Sequence, residues 1–224
     1  MRKQKLVSNN IYHVFNRGVE KRQTFMDETD YLRFINNLAI FNDAKAVFNS
    51  KHRIKEIKST DSRKLLVDIL AFCLMPNHFH LLLRQREENG ISKFMNKIGV
   101  GYTNYFNLKY ERVGPLFQGA FRSVLIDDES QFLYIPYYIH LNPLDLKISN
   151  WKENGINKLK VAIEFLNSYK WSSHRDYIGN SNFIGIINKH FLNEIFINPE
   201  NYQKDLKNFM KDFDFSEMND LLLE

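Results

Sequence analysis

The sequence predicts an α+β fold, a ferredoxin/RRM-like antiparallel sheet with helices packed on one face, followed by a C-terminal helical appendage. Strand-like and helix-like patterns alternate in the order strand, helix, strand, strand, helix, strand, which is typical of this sheet. After residue 150, apolar residues recur at helical spacing. We therefore expect a main domain over residues 1–148 and a helical extension over 149–224.

The first strand and helix are predicted from local patterns. Residues 11–16 are β-branched and aromatic, which favours a strand, and residues 17–18 form a natural turn. From Asp27 to about Ala46, apolar residues keep helical spacing, and Asp27 is a suitable N-cap. The segment 45–64 is basic. It is interpreted as a solvated linker, with an arm that contacts phosphates as the alternative.

The centre of the chain reads as a hairpin that carries two histidines. The apolar run 65–75 suits a buried strand, and Pro-Asn at 76–77 suits a turn. Because side chains alternate along a strand, His78 and His80 share one face while Phe79 points into the core. Two imidazoles on one face favour a metal site, and a solvated strand face remains the alternative.

Another helix, another strand and a third helix complete the order. A helix opens at Gly90, and residues 116–126 read as a strand with a glycine irregularity. The third helix begins in the acidic stretch 127–129 and ends near Pro143, with a kink or restart expected at Pro136.

Tyr138 and Asn142 lie four residues apart in the third helix and therefore share a helical face. If that helix docks near His78 and His80, two imidazoles, one amide oxygen and one phenol meet. Such a set can bind a divalent cation with open positions and place a nucleophile beside it. Considered separately, Tyr138 reads as a core aromatic and Asn142 as a helix cap.

Composition limits the class of protein. The 224 residues are 44% hydrophobic, enough for a substantial core, and the net charge of +5 suits a polyanionic partner without requiring one. Cys73 is the single cysteine, so neither a disulfide framework nor a thiolate zinc site is expected. No apolar run approaches the roughly 20 residues of a membrane span. We expect a cytoplasmic protein without membrane contacts.

Six stretches together resemble one family. HFH at 78–80 is similar to the histidine-hydrophobic-histidine (HUH) signature, and YIHLNP at 138–143 is similar to the tyrosine helix of single-tyrosine HUH transposases. More narrowly, the chain resembles the REP-associated tyrosine transposases. The other stretches that carry this resemblance are YHVFNRG at 12–18, DYLRF at 30–34, GPLFQG at 114–119 and YKWSSHRDY at 169–177.

The resemblance implies a metal-dependent endonuclease and strand transferase that acts on single-stranded DNA, often at the foot of a hairpin. It implies that Tyr138 attacks the DNA and becomes linked to the 5′ phosphate. The implied ligands of Mg²⁺ or Mn²⁺ are His78, His80 and Asn142. The same resemblance suggests that Arg17, Arg122 and the basic segment 45–64 contact the DNA backbone. Lys97, on the helix that opens at Gly90, is a further expected DNA contact. The oligomeric state, monomer or homodimer, stays open.

Two departures from the family pattern concern DNA binding. Phe117 stands where relatives commonly have Trp, and Ala120 where they commonly have Arg. One alternative is therefore a catalytically inactive descendant that binds hairpin DNA or RNA as a regulator. A second alternative is a metallohydrolase that uses a metal-bound water and needs no tyrosine.

Overall fold

The computed structural model of the chain describes residues 5–45, 63–183 and 185–212. Most of the basic segment at 45–64 lies outside these ranges. Within them, the expected order of elements is confirmed. The strands are β1 (Ile11–Arg17), β2 (Val67–Met75), β3 (His78–Gln85) and β4 (Arg122–Ile126). They form one antiparallel sheet in the order β2-β3-β1-β4.

The α-helices up to residue 141 are α1 (Glu28–Ile40), α2 (Gly90–Lys109) and α3 (Glu129–Leu141). Asp27 caps α1 through a capping box with Asp30. The helix ends before the expected position because Asn42 leaves it to pair with the start of β2. Its side chain accepts from the backbone N–H of Leu66 and Val67 and donates to the Val67 carbonyl.

The last strand and α3 differ in detail from the expectation. β4 covers only the second half of the stretch 116–126, since Phe117 makes an isolated bridge to Gly18 and Gly119 adopts a φ of 90°. Such a positive φ suits glycine and interrupts the strand. α3 runs through Pro136 as one helix and continues into a 3-10 turn over Asn142–Leu146.

The sheet has helices on both faces, whereas the sequence pattern placed them on one. α1 and α2 pack on the face that carries Tyr12, Phe79 and Leu81. α3 packs on the opposite face, over Cys73 and Leu82. The physical reason is that β2 is buried along its whole length and contributes apolar side chains to both cores, so the sheet needs a cover on each face. The α+β class itself is confirmed.

The side of α3 that faces away from the sheet is covered by the C-terminal helices. These are α4 (Trp151–Asn154), α5 (Leu159–Ser168), α6 (His174–Tyr177), α7 (His190–Phe196) and α8 (Pro199–Asp212). Trp151, Leu192 and Tyr202 share one buried cluster with residues of α3 and β2. A division of the chain near residue 148 stays a prediction, and in the structure residues from both sides of it form a common core. None of the helices in the described ranges has the length and apolarity to cross a membrane.

Candidate functional site

β3 presents His78 and His80 to the face of the sheet that α3 covers. Phe79 between them belongs to the opposite core, as strand alternation requires. The two imidazole rings lie 5.0 Å apart, centroid to centroid, and are nearly perpendicular. His80 is buried and His78 is partly accessible. The strand therefore brings together two imidazoles of the kind that can bind a metal, one partly accessible and one buried.

A third histidine joins this pair from β1. The antiparallel register pairs Phe15 with His80 and His13 with Leu82, so His13 is the diagonal neighbour of His80. His13 Nε2 lies 2.9 Å from His80 Nδ1. Sequence reasoning missed this contact, because it depends on the register of two strands that are far apart in the chain. Alternation within β1 shows only that His13 and Phe15 share a face.

Tyr138, on α3, lies on the same side of the sheet as these histidines and packs against them. Its ring centroid is 6.0 Å from that of His13 and 6.0 Å from that of His80, with the planes close to perpendicular. The side chain is 0% exposed. The ammonium of Lys152, on α4, lies 5.4 Å from the Tyr138 ring centroid, and an ion pair with Asp145 helps to hold it there. α3 thus docks beside His80, as the hypothesis of a shared site requires, but the phenol is buried away from solvent.

Asn142 follows Tyr138 by one helical turn and is also buried. Its side-chain Nδ2 donates to the Tyr138 carbonyl, 2.9 Å away. Its Oδ1 has no hydrogen-bond partner among the described residues. A buried amide oxygen left unsatisfied costs about 1–3 kcal/mol, so such an atom calls for an explanation. A bound cation would supply the missing partner.

The hydrogen bond made by His78 also suits a metal ligand. His78 Nδ1 lies 2.6 Å from Asn77 Oδ1, and an amide oxygen can only accept. Nδ1 therefore carries the proton, and Nε2 keeps the lone pair that a metal needs. In the described part of the chain, no group of three His, Cys, Asp or Glu side chains forms a metal site. The ligand set expected from the sequence is of another type, because its third member, Asn142, is an amide.

A pocket of about 90 Å³ opens at the histidines. Its lining residues are Phe15, Asn16, Arg17, His78, His80, Gln118 and Arg122. Two of the three arginine and lysine residues expected at DNA, Arg17 and Arg122, are therefore beside the histidines. Tyr138 does not line the pocket, which agrees with its complete burial.

Lys97 is not brought to this pocket. It lies on α2, which packs on the other face of the sheet. Its ammonium donates to the backbone carbonyls of Asp43 and Lys45, at 2.5 and 2.8 Å. Partial burial lowers the pKa of Lys97 despite the opposing effect of Asp43. These contacts give Lys97 a structural role at the end of α1.

The two other tyrosines considered as nucleophiles, Tyr102 and Tyr105, also lie on α2 and face away from the histidines. Tyr102 Oη donates to the Thr24 carbonyl at 2.6 Å, and Tyr105 Oη donates to Asp30 Oδ1 at 2.9 Å. Burial, followed by the Asp30 contact, raises the pKa of Tyr105 to about 12. Both hydroxyls are hydrogen-bonded, and both lie on the face of the sheet opposite His80. Neither is therefore placed for a reaction at His80.

His140, two residues after Tyr138, points away from the site into a buried chain of hydrogen bonds. Ser173 Oγ lies 2.7 Å from His140 Nε2, and Tyr202 Oη lies 2.8 Å from His140 Nδ1. Tyr202 Oη also lies 2.8 Å from His174 Nδ1, whose Nε2 lies 2.9 Å from Asn167 Oδ1. This chain ties the tyrosine helix to α5, α6 and α8.

The hydrogen bonds of this chain have one consistent direction. Asn167 Oδ1 can only accept, so His174 donates from Nε2 and accepts the Tyr202 hydroxyl proton at Nδ1. Tyr202 Oη then accepts from His140 Nδ1–H, and His140 Nε2 accepts from Ser173. Both imidazoles are neutral in this arrangement. Burial agrees with it, since it lowers the pKa of His140 well below its usual range and that of His174 to about 3.

The fold and the comparisons together place the chain among the transposases. Residues 7–142 match a family described as "Transposase IS200 like". Because this match covers more than half of the 224 residues, the chain belongs to the IS200-like transposase family. The resemblance seen in the sequence is thereby confirmed at the level of the family. None of the curated protein sequences compared with the chain matches it.

Among solved structures, the fold is similar to that of a REP-associated tyrosine transposase bound to a REP hairpin. The TM-score is 0.50 at 12% identity, over 83% of this chain and 88% of the other. A bacterial tRNA(His) guanylyltransferase-like protein in complex with ATP matches at a TM-score of 0.39 and 11% identity, over 75% of each chain. The first likeness shows the fold, and the second is too distant to support a conclusion.

Proposed function

We propose that this protein is a metal-dependent single-stranded DNA endonuclease and strand transferase that acts near DNA hairpins through a covalent 5′-phosphotyrosine at Tyr138. The observation that carries the proposal is the approach of the Tyr138 ring to within 6.0 Å of His80, in a member of the IS200-like transposases. The rival phenols lie across the sheet. Tyr138 is therefore the best-placed nucleophile.

His78, His80 and Asn142 are the proposed ligands of Mg²⁺ or Mn²⁺. The proposal is supported by the protonated Nδ1 of His78, which leaves Nε2 to bind, and by the buried, unsatisfied Oδ1 of Asn142. When bound, the cation would polarise the scissile phosphate and stabilise the charge that develops on it. The two imidazoles and one amide leave coordination positions open for phosphate oxygens.

The proposed chemistry is a direct displacement at phosphorus. Tyr138 Oη loses its proton and bonds to phosphorus, the bond from phosphorus to the 3′ oxygen breaks, and that oxygen leaves as a 3′ hydroxyl after taking up a proton. The downstream strand stays linked to Tyr138 through its 5′ phosphate. Attack by another 3′ hydroxyl on the same phosphorus reverses the step and joins two strands. No ATP is needed, because one phosphate ester bond breaks for each one that forms.

Complete burial of Tyr138 adds a requirement to this mechanism. The phenol must reach a phosphodiester, and in the structure Lys152 on α4 covers its ring. DNA binding must therefore move the Lys152 side chain, α4 or α3 before the attack. Arg17 and Arg122, at the pocket rim, are suited to hold the DNA backbone while this happens, since guanidinium groups bind phosphate oxygens in pairs.

The same burial favours a second candidate function, a regulator that binds hairpin DNA without cutting it. Such a protein would keep Arg17, Arg122 and the fold that a hairpin-binding relative shares. It would never uncover Tyr138. The two candidates differ in whether a covalent product forms.

The test uses hairpin DNA with single-stranded flanks, labelled at its 3′ end because the proposed adduct retains the downstream strand. Wild type, Tyr138→Phe and Tyr134→Phe are incubated with it and Mn²⁺ and run on a denaturing protein gel. Tyr134 lies one turn earlier on α3 and is the matched control. Label that migrates with wild type and Tyr134→Phe but not with Tyr138→Phe supports the proposal. Cleavage by Tyr138→Phe would indicate a metal-bound water, and binding without cleavage would indicate the regulator.

A further inference from the structure

We infer that His13 is a positioning residue for His80: it accepts a hydrogen bond from His80 Nδ1–H and so keeps the lone pair on His80 Nε2 for the divalent cation. This inference rests on the proposed function, since it concerns the metal site proposed there. It adds a residue from β1 to a site otherwise built from β3 and α3.

The contact between the two histidines is short, planar and buried. His13 Nε2 and His80 Nδ1 are 2.9 Å apart, and the ring planes differ by 17°. Each side chain is 1% exposed, so water does not compete for either nitrogen. A hydrogen bond between two imidazoles that is held in the ring plane and away from water has good geometry and fixes both ring orientations.

The two directions of this bond have different consequences. If His13 donates, His80 is protonated on Nε2 and has no lone pair there for a metal. If His80 donates from Nδ1, its Nε2 has a lone pair and His13 holds its own proton on Nδ1. A metal-binding histidine usually donates its second ring N–H to a neighbouring acceptor, which orients it and makes it a stronger ligand. The proposed ligand role therefore requires the second direction.

His78 shows the same arrangement with a partner that allows one direction only. Its Nδ1 lies 2.6 Å from Asn77 Oδ1, which accepts. Both proposed ligands thus have Nδ1 held by a neighbour, an amide for His78 and an imidazole for His80. Tyr138 packs edge-on against both His13 and His80, so the ring of His13 also supports the tyrosine.

The test measures Mn²⁺ affinity by electron paramagnetic resonance, without DNA or turnover. His13→Phe keeps a ring of similar size but has no acceptor, and we expect binding weaker by about 10- to 100-fold. His13→Gln offers Oε1 as an acceptor and should bind within a few-fold of wild type. Tyr12→Phe removes a hydroxyl from the neighbouring position on the opposite face of β1. It controls for a general loss of stability.

Unchanged Mn²⁺ affinity in His13→Phe, with wild-type binding that depends on His80, would overturn the role of His13 and leave the proposed function intact. Absence of Mn²⁺ binding by wild type would instead remove the proposed metal site. If His13→Phe does not fold, ¹⁵N spectra of the histidine rings in Mg²⁺-loaded wild type decide the question. The spectra are assigned by comparison with His80→Gln. A proton on His80 Nδ1 supports the inference, and a proton on Nε2 contradicts it.

Discussion

Tyr138 and His80 face each other across the boundary between α3 and the sheet, with ring centroids 6.0 Å apart and planes at 86°. One chain therefore supplies both the proposed nucleophile and a proposed metal ligand. Solvent does not reach this pair, since Tyr138 is fully buried and His80 nearly so. The proposed reaction at this site requires both a cation at the histidines and a path for DNA to the tyrosine.

The first prediction concerns the metal ligands. His78→Ala and His80→Ala should each lower the yield of covalent DNA adduct by more than about 100-fold, because each removes a proposed ligand of the cation that would polarise the phosphate. His190→Ala, at an exposed histidine on α7, should react like wild type. Chelation of divalent metal should abolish the adduct. An adduct that forms in His80→Ala at the wild-type level would contradict the proposed ligand set.

The second prediction concerns the pocket rim. Arg17→Ala and Arg122→Ala should each weaken hairpin DNA binding, since both residues line the pocket at the histidines. If each contacts one phosphate of a single strand, the slope of log affinity against log salt should fall by roughly 0.7 per substitution. Lys97→Ala tests the third expected contact. Because its ammonium is bound by carbonyls near the end of α1, we expect a smaller effect. If Lys97→Ala lost as much DNA affinity as Arg17→Ala, DNA would contact both faces of the sheet.

The third prediction concerns the opening of the site. Trp151 on α4 is fully buried and precedes Lys152, the residue over the Tyr138 ring. In a Trp171→Phe variant, Trp151 is the sole tryptophan. If hairpin DNA displaces α4, the fluorescence of Trp151 should shift to longer wavelength at saturating DNA. The reciprocal variant Trp151→Phe is the control. An unchanged Trp151 spectrum in the bound state would mean that α4 stays in place.

The fourth prediction concerns acid stability. The folded-state pKa of His174 is lowered to about 3, and that of His140 is also lowered, so the unfolded chain binds more protons than the folded one below the ordinary histidine pKa of about 6.5. The free energy of unfolding should therefore fall as the pH drops from about 6.5. For His174 the loss should reach about 2 kcal/mol at pH 5, and it should level off near the folded pKa.

Urea unfolding between pH 7 and pH 4.5 measures this effect. His174→Gln removes one titrating group and should flatten the dependence by about 1.4 kcal/mol per pH unit. A stability that does not change between pH 6.5 and 5 would mean that these imidazoles are not held neutral in the folded chain.

Much of the fold follows from local patterns. Period-2 and helical spacing, with Asp27 as a cap and Gly90 at a helix start, were enough to predict the order of elements around the sheet. Alternation also predicted that His78 and His80 share a face. These features depend on neighbours within a few residues, which the sequence displays directly.

Other features depend on how distant segments meet. The contact of His13 with His80 requires the register of β1 against β3. The side of the sheet that α3 covers could not be deduced, because β2 is apolar on both faces and its pattern therefore selects neither side for α3. The position of Lys97 depends on the path of the chain after α1, which composition does not determine.

The most direct test of the central claim identifies the residue that carries DNA. Wild-type protein is incubated with Mn²⁺ and a hairpin substrate, the DNA is trimmed with nuclease, and the proteolytic peptides are analysed by mass spectrometry. The proposed mechanism predicts a nucleotide joined through its 5′ phosphate to Tyr138 and to no other tyrosine. A nucleotide on Tyr102 or Tyr105, or cleaved DNA without any modified tyrosine, would contradict it.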